Sequence, residues 1–305
     1  MLIYLNKKPV DAPWGGGDKT VRALVDELER RGHSVVHTFV EGIDRLVCFD
    51  PRSNHEGVGW DLIVAYRNRF KVPIIQRVGD LGTHGKPELL ELLKRSIPCS
   101  DRVVFPSKWA RAYVDKNIDF LRSESHVVLN GAHPSFFDRR ILGRLSSVPR
   151  LVTHHWSTNP RKGFAVYEKI ARNEKISRSE RTFTYYGRLP EQSSLKSSGV
   201  LNVEELAVAL PKCDIYVTAS EEEAGANHVL EAMAAGLPVV YHALGGSIRE
   251  YVGNAGVSFT GDAFDSAEYA IEEAIERWNE LRERALSFKR TTLDCARELA
   301  DVICK

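Results

Sequence analysis

Short apolar runs alternate with amphipathic stretches along almost the whole chain, and this alternation constrains the fold more than any other feature. Leu2–Leu5 reads as an apolar strand, followed by a loop with Pro9, Pro13 and Gly15-Gly16-Gly17. Val21, Leu24, Val25 and Leu28 then line one face of a helix, which Gly32 stops after Arg30-Arg31. Further strands are expected at Ser34–Val40, Leu62–Tyr66, Val72–Gln76, Arg102–Phe105 and His126–Leu129, with helices at Pro87–Arg95 and Lys108–Lys116. Strands that take turns with helices pair in parallel and are covered on both faces.

The rhythm pauses over the charged stretch Ser135–Arg150 and then restarts. Strands are expected at Leu151–His154, Arg181–Tyr186, Asp214–Ala219, Pro238–Tyr241 and Val257–Thr260, with helices at Gly163–Arg172 and Val203–Leu210. Ala267, Ile271, Ala274, Ile275, Trp278 and Leu281 form a core-facing stripe, and a last helix runs from about Thr291 to Ile303. The 305 residues therefore divide into an α/β domain at 1–147, a second at 148–285, and a helical segment at 286–305 expected to cross back to the first domain. Two open α/β sheets facing one another leave a cleft at the carboxyl ends of their strands, where ligands bind.

Composition removes several classes. With 43% hydrophobic and 27% charged residues the chain is globular rather than disordered. The 42 basic and 41 acidic side chains leave +1, which disfavours a nucleic-acid partner. No uninterrupted apolar stretch is long enough for a transmembrane helix, and the N-terminal run reads as a strand rather than a signal peptide. Five scattered cysteines without a Cys-x-x-Cys pair suggest reduced thiols in a cytoplasmic protein.

The most informative segment is Ala219-Ser220-Glu221-Glu222-Glu223-Ala224-Gly225-Ala226-Asn227-His228-Val229-Leu230-Glu231-Ala232-Met233-Ala234-Ala235-Gly236-Leu237-Pro238-Val239-Val240. It reads as a strand end, an acidic loop, an Asn suited to capping, a short helix, and a turn into a buried strand. The start of that helix is an anion site. Carboxylates beside it would repel a phosphate and suit neutral hydroxyls, as on a ribose or sugar ring.

Here the chain resembles the retaining, nucleotide-sugar-dependent glycosyltransferases of the GT-B fold, the glycosyltransferase family 4-like or "glycosyl transferases group 1" enzymes. Glu223 and Glu231 match their E-x7-E signature, and Glu-Ala-Met-Ala-Ala-Gly-Leu-Pro-Val follows the second Glu. Gly15-Gly16-Gly17, Asn130-Gly131 and Arg161-Lys162-Gly163 agree in order and position, and the resemblance is firmest from 151 to 260. It implies two Rossmann-like domains facing across a cleft, and transfer of a sugar from a nucleoside-diphosphate donor to an acceptor hydroxyl with retention. Uridine is the default base. By this resemblance Glu231 binds the ribose, and Glu223 lies against the sugar. The amides of Ala224, Gly225, Ala226 and Asn227 reach the sugar hydroxyls and phosphates. Lys162, with Arg161, neutralises the departing diphosphate, and Gly15, Gly16 and Gly17 let backbone approach the donor. Arg188 lines the base or phosphate pocket. No metal and no cofactor is required on this reading, and no Asp-x-Asp pair occurs.

Two departures matter. The Arg that commonly stands five residues before the Lys is Ser157 here, so either Arg161 or Arg188 replaces its charge or phosphate binding is weaker. Where the family often has a His near the sugar, this chain reads Arg77-Val78-Gly79-Asp80-Leu81-Gly82-Thr83-His84, making Asp80 and His84 the candidates for sugar or acceptor contact. Adjacent His154 and His155 point to opposite faces of their strand, and packing or a hydrogen bond is expected of each. The acceptor stays open between a glycan, a lipid-linked sugar and a small molecule. A lipid acceptor would bring the chain to a membrane surface through Arg102, Lys108, Arg111 and Lys116. The competing readings are a nucleotide-sugar 2-epimerase of related fold and a non-catalytic sugar- or nucleotide-binding protein.

Overall fold

The computed structural model describes residues 1–9, 16–54, 57–118, 124–261 and 264–305. These form two compact units. The first is built on the N-terminal part up to Gly131 and regains the chain at Thr292–Lys305; the second is built on Ala132–Thr291. The sequence expectation put the change of domain at 147–148.

In the first unit the elements are β1 (Leu2–Leu5), α1 (Gly16–Arg30), β2 (Ser34–Val36), β3 (Arg45–Cys48), α2 (Trp60–Phe70), β4 (Ile74–Arg77), α3 (Pro87–Ser96), β5 (Arg102–Phe105), α4 (Lys108–Asn117) and β6 (Glu124–Val127). The strands pair in parallel in the order β2-β1-β3-β4-β5-β6. Gly32 ends α1 in the left-handed region, where glycine carries no Cβ penalty, and the amides of Gly32 and His33 close the last turn on Glu29 and Leu28.

Two local expectations fail here. Leu62–Tyr66 lies inside helix α2, not in a strand. A short apolar run fits either state, and Asp61 at its start with Arg67 and Arg69 at its end suit a helix dipole. Trp60 and Ile63 are buried while Leu62 is exposed, a spacing of three that only a helix gives. The strand that pairs with β1 and β4 is instead β3, an apolar run of three residues after Arg45, too short to stand out.

The second unit contains α5 (Pro134–Asp138), β7 (Arg150–His155), α6 (Phe164–Ala171), α7 (Glu174–Ser177), β8 (Thr182–Gly187), α8 (Val203–Ala209), β9 (Ile215–Thr218), α9 (Asn227–Ala234), β10 (Val239–His242), α10 (Ile248–Val252), β11 (Gly256–Phe259), α11 (Phe264–Glu276) and α12 (Trp278–Ser287). Its five parallel strands run β11-β10-β9-β7-β8. Strand order therefore reverses between β7 and β9, which is where open α/β sheets bind ligands. The expected stripe is core, although it bends at Arg277: Ala267, Ile271 and Ala274 from α11 pack with Trp278 and Leu281 from α12.

The final helix, α13 (Thr292–Cys304), belongs to the first unit. Cys295, Leu299, Ala300, Val302 and Ile303 are buried with Ile3 and Leu5 of β1, Leu24 and Leu28 of α1, and Val47 of β3. Arg31 and Asp301 add an ion pair at 2.7 Å. None of the five cysteines forms a disulfide.

Candidate functional site

Three turns at the carboxyl ends of β7, β9 and β10 build the site in the second unit. After β7, Asn159 accepts the Arg161 amide at 3.0 Å and starts one 3-10 turn, Pro160–Lys162. Gly163 follows in the left-handed region with φ 82°. A Cβ there would stand 2.3 Å from the Cβ of Ala219, so only glycine lets this turn rest on the end of β9.

The acidic loop after β9 is tied down from both sides. Glu221 donates its amide to the Arg161 carbonyl at 3.0 Å, and Glu222, itself left-handed at φ 48°, donates to Leu244 at 2.9 Å. Ser247 donates its amide to the Glu223 carbonyl at 2.9 Å. Gly246 passes so close to Glu223 that a Cβ would meet its carbonyl oxygen at 2.6 Å. This frame holds the Glu223 carboxylate against Lys162 Nζ at 2.5 Å, with both side chains only 12% exposed. Arg161 makes a close ion pair with Glu222.

Helix α9 begins at Asn227, with Ala226 in the cap position and no side chain bonding its first turn. The sequence suggested Asn227 as the cap. The Asn227 amide instead turns back to the Gly225 carbonyl at 2.9 Å, and the Ala226 amide donates to Ser247 Oγ at 3.2 Å. Of the four amides expected to meet a ligand, two thus have protein acceptors, while the Gly225 amide has none among the described residues. At its far end α9 closes in a Schellman turn, Gly236 donating to Met233 and Leu237 to Ala232.

Glu231 is buried one turn into α9, where its carboxylate receives His154 Nε2 at 2.9 Å. The two partners are 77 residues apart in sequence. His154 is fixed in turn by Tyr216, whose hydroxyl meets the His154 amide and carbonyl at 3.2 Å each. On the opposite face of β7, His155 Nε2 meets Tyr167 Oη at 2.8 Å. Burial pushes the Tyr167 phenol up to about 12 against the lowering effect of the Ala219 amide, so Tyr167 keeps its proton. His228 stands with its ring against those of His155 and Tyr216 and its Nε2 3.1 Å from Thr218 Oγ1. Withdrawal from water drops its pKa to about 3, and it is neutral at ordinary pH. Sequence reading singled out neither Tyr167 nor His228, and the doubled His154-His155 at a strand end was the available signal.

Arg188 lies beyond β8 with its guanidinium 3.9 Å from the centre of the Trp156 ring. Gly187 makes that approach possible: a Cβ there would overlap the His155 carbonyl oxygen at 1.9 Å. Arg188 has no carboxylate partner among the described residues, in contrast to Arg161.

Gly16 and Gly17 open α1 after β1, and Gly15 lies outside the described residues. Asp80 accepts Lys86 Nζ at 2.6 Å and the Gly82 amide at 3.0 Å. Burial would raise its pKa, but these two partners hold it below its usual range. His84 sits half-buried in the turn after it. Of the basic residues considered for a membrane surface, Arg102 is engaged by Glu124 and the Val302 carbonyl, and Arg111 lies 3.8 Å from Asp115. Among the described residues no helix is long and apolar enough to cross a membrane.

Comparison with known proteins agrees with this layout. The family model described as "Glycosyl transferases group 1" matches residues 192–292, which include Glu223, Glu231 and α9. Sucrose-phosphate synthase from Thermosynechococcus elongatus is similar in structure at TM-score 0.71 and 15% identity, over 99% of this chain and 98% of that one. WaaG, a glycosyltransferase involved in lipopolysaccharide biosynthesis, gives 0.69 at 14% identity over 99% of each chain. HepE from Anabaena, in complex with UDP and glucose, gives 0.68 at 12% identity over 100% of this chain and 99% of that one. No curated protein matches in sequence. The chain has the GT-B fold, and its residues 192–292 match the model of glycosyl transferases group 1.

Proposed function

We propose that this chain is a group 1 glycosyltransferase that takes its sugar from a nucleoside diphosphate, held at the ends of β7 and β9, and transfers it to an acceptor hydroxyl with retention. The observation that carries this reading is the pairing of Lys162 with Glu223 beside the buried His154–Glu231 pair, at the strand-order reversal of the second sheet. Glu231, its carboxylate oriented by His154, accepts hydrogen bonds from the two ribose hydroxyls. Glu223 faces the transferred sugar. Lys162 moves from Glu223 toward the diphosphate as negative charge builds on it, and the Gly225 amide at the start of α9 adds a donor. Arg188, stacked on Trp156 and uncommitted to a carboxylate, supplies the second cation in place of the Arg that Ser157 lacks.

In the reaction the bond between the anomeric carbon and the diphosphate oxygen breaks, and the acceptor oxygen bonds to that carbon. Retention means that entry and departure share one face, so the acceptor's proton passes to the departing phosphate. With these cations in position no divalent ion or cofactor is called for, and turnover in EDTA is expected to match turnover without it. Structures of similar fold hold UDP with glucose (HepE) and ADP with acarbose (starch synthase IV), which supports a nucleoside diphosphate as ligand and leaves uridine as the first base to test.

The test is thermal stabilisation by UDP, GDP, ADP, TDP and CDP, followed by turnover of the matching sugar donors. A ligand at 100 times its Kd stabilises the folded chain by about 2.7 kcal/mol. One diphosphate is expected to stand out and to lose its effect in Glu231→Ala. Equal stabilisation of wild type and Glu231→Ala would overturn the assignment of the ribose site.

A further inference from the structure

Arg77 ends β4 with a side chain that is 5% exposed, and no carboxylate among the described residues neutralises it. One terminal nitrogen donates to Asn130 Oδ1 in a close contact, and Asn130 is itself 4% exposed beyond the end of β6. The guanidinium lies 5.5 Å from the ring centre of Phe49, which follows β3. Its Nε is buried without an acceptor, and among the described residues no carboxylate pairs with it. The acids nearby in sequence are committed elsewhere. Asp50 is held by Arg52 at 2.6 Å, and Asp80 by Lys86 at 2.6 Å.

A guanidinium keeps its charge under all ordinary conditions, so it cannot escape burial by releasing a proton. An amide and an aromatic ring return only part of the lost hydration. Such a charge is costly to the folded chain unless a counter-ion arrives from outside. The structure also provides a way in. Gly79 is exposed, and a Cβ built on it would stand 3.4 Å from Arg77 Nη1. The fork therefore lies directly beneath a surface position that carries no side chain.

We propose that Arg77, steered by Asn130 and approached past Gly79, is an oxyanion site of the first unit that binds the phosphate of a phosphorylated substrate. A planar fork with a buried neighbour to orient it is suited to two-point contact with phosphate oxygens. On the glycosyltransferase reading above, that phosphate is carried by the acceptor; the existence of the site does not rest on that reading.

Calorimetric titration of the full chain with methyl phosphate and, separately, with UDP tests the proposal, using wild type, Arg77→Gln and Gly79→Val. Gly79→Val changes an exposed position whose backbone lies outside the left-handed region, so it keeps the test open should Arg77→Gln fail to fold. Methyl phosphate is expected to bind wild type and to weaken about tenfold or more in Arg77→Gln and Gly79→Val. UDP affinity is expected to be unchanged in those two variants, and a parallel tenfold loss would overturn the assignment to the acceptor. No binding of methyl phosphate by wild type, or full affinity retained in either Arg77→Gln or Gly79→Val, overturns the site. Failure of the donor reading would register differently, as UDP binding indifferent to Glu231→Ala.

Discussion

At the strand ends of the second unit Lys162, Arg161 and His154 each touch a carboxylate, whereas in the first unit Arg77 meets an amide and a ring. The arrangements differ in what a ligand must do. A diphosphate entering the second unit has to draw Lys162 away from Glu223, exchanging one charge partner for another. An anion reaching Arg77 displaces no carboxylate among the described residues. Paired charges keep the empty site ordered and make binding an exchange. An uncompensated one stores its cost in the folded chain and returns it when the ligand arrives.

The comparison can be broken most directly at Lys162. If its charge acts on the departing diphosphate, Lys162→Ala lowers kcat by about 10² to 10³, the usual scale for removing one stabilising donor. Steady-state assays with the matching sugar donor read this, and a change confined to KM would mean that Lys162 only binds. Next in size is Gly163→Ala. The added methyl would collide with Ala219 and the backbone would be held at a φ that alanine avoids. A loss of about 3 kcal/mol in chemical denaturation is expected. A much smaller loss would show that the two turns are less tightly joined than their geometry implies.

His154→Ala removes the partner that orients Glu231, and UDP affinity should fall about tenfold, read by titration calorimetry. Unchanged affinity would make the pair a packing feature. A graded effect, small over any one pH unit, concerns His228, whose folded pKa lies near 3 against an ordinary 6.5. Below about pH 6.5 the unfolded chain takes up a proton that the folded chain refuses, so stability declines as pH falls toward 3. The slope is at most about 1.4 kcal/mol per pH unit for one group. His228→Asn should be less sensitive to acid over that window when the two melting curves are compared.

Much of the second unit could be read before any coordinates. Glu223, Glu231 and Lys162 sit in a recognisable run, and the strand–helix alternation needs only local pattern. Other features depended on contacts that a linear reading does not contain. His154 and Glu231 are 77 residues apart, and nothing near His154 says which acid it will meet. Leu62–Tyr66 was misread because five apolar residues satisfy a strand and a helix equally, and only the neighbours they pack against decide. Arg77 was in view and passed over in favour of Asp80 and His84. Its significance lies in the carboxylates it does not meet, and a missing partner leaves no mark on a sequence.

The return of α13 to the first unit bears on how the chain is made. Cys295, Leu299 and Ile303 fill space beside Ile3, Leu24 and Val47 that no earlier segment occupies. During synthesis from the N-terminus, β1 through β6 emerge early, but that core stays open while Ala132–Thr291, the bulk of the second unit, is added. That stretch is one continuous run and can close as soon as it clears the ribosome. The order of folding should therefore invert the order of translation: the half made first is finished last, and it is the half whose apolar interior a chaperone would have to shield in the interval.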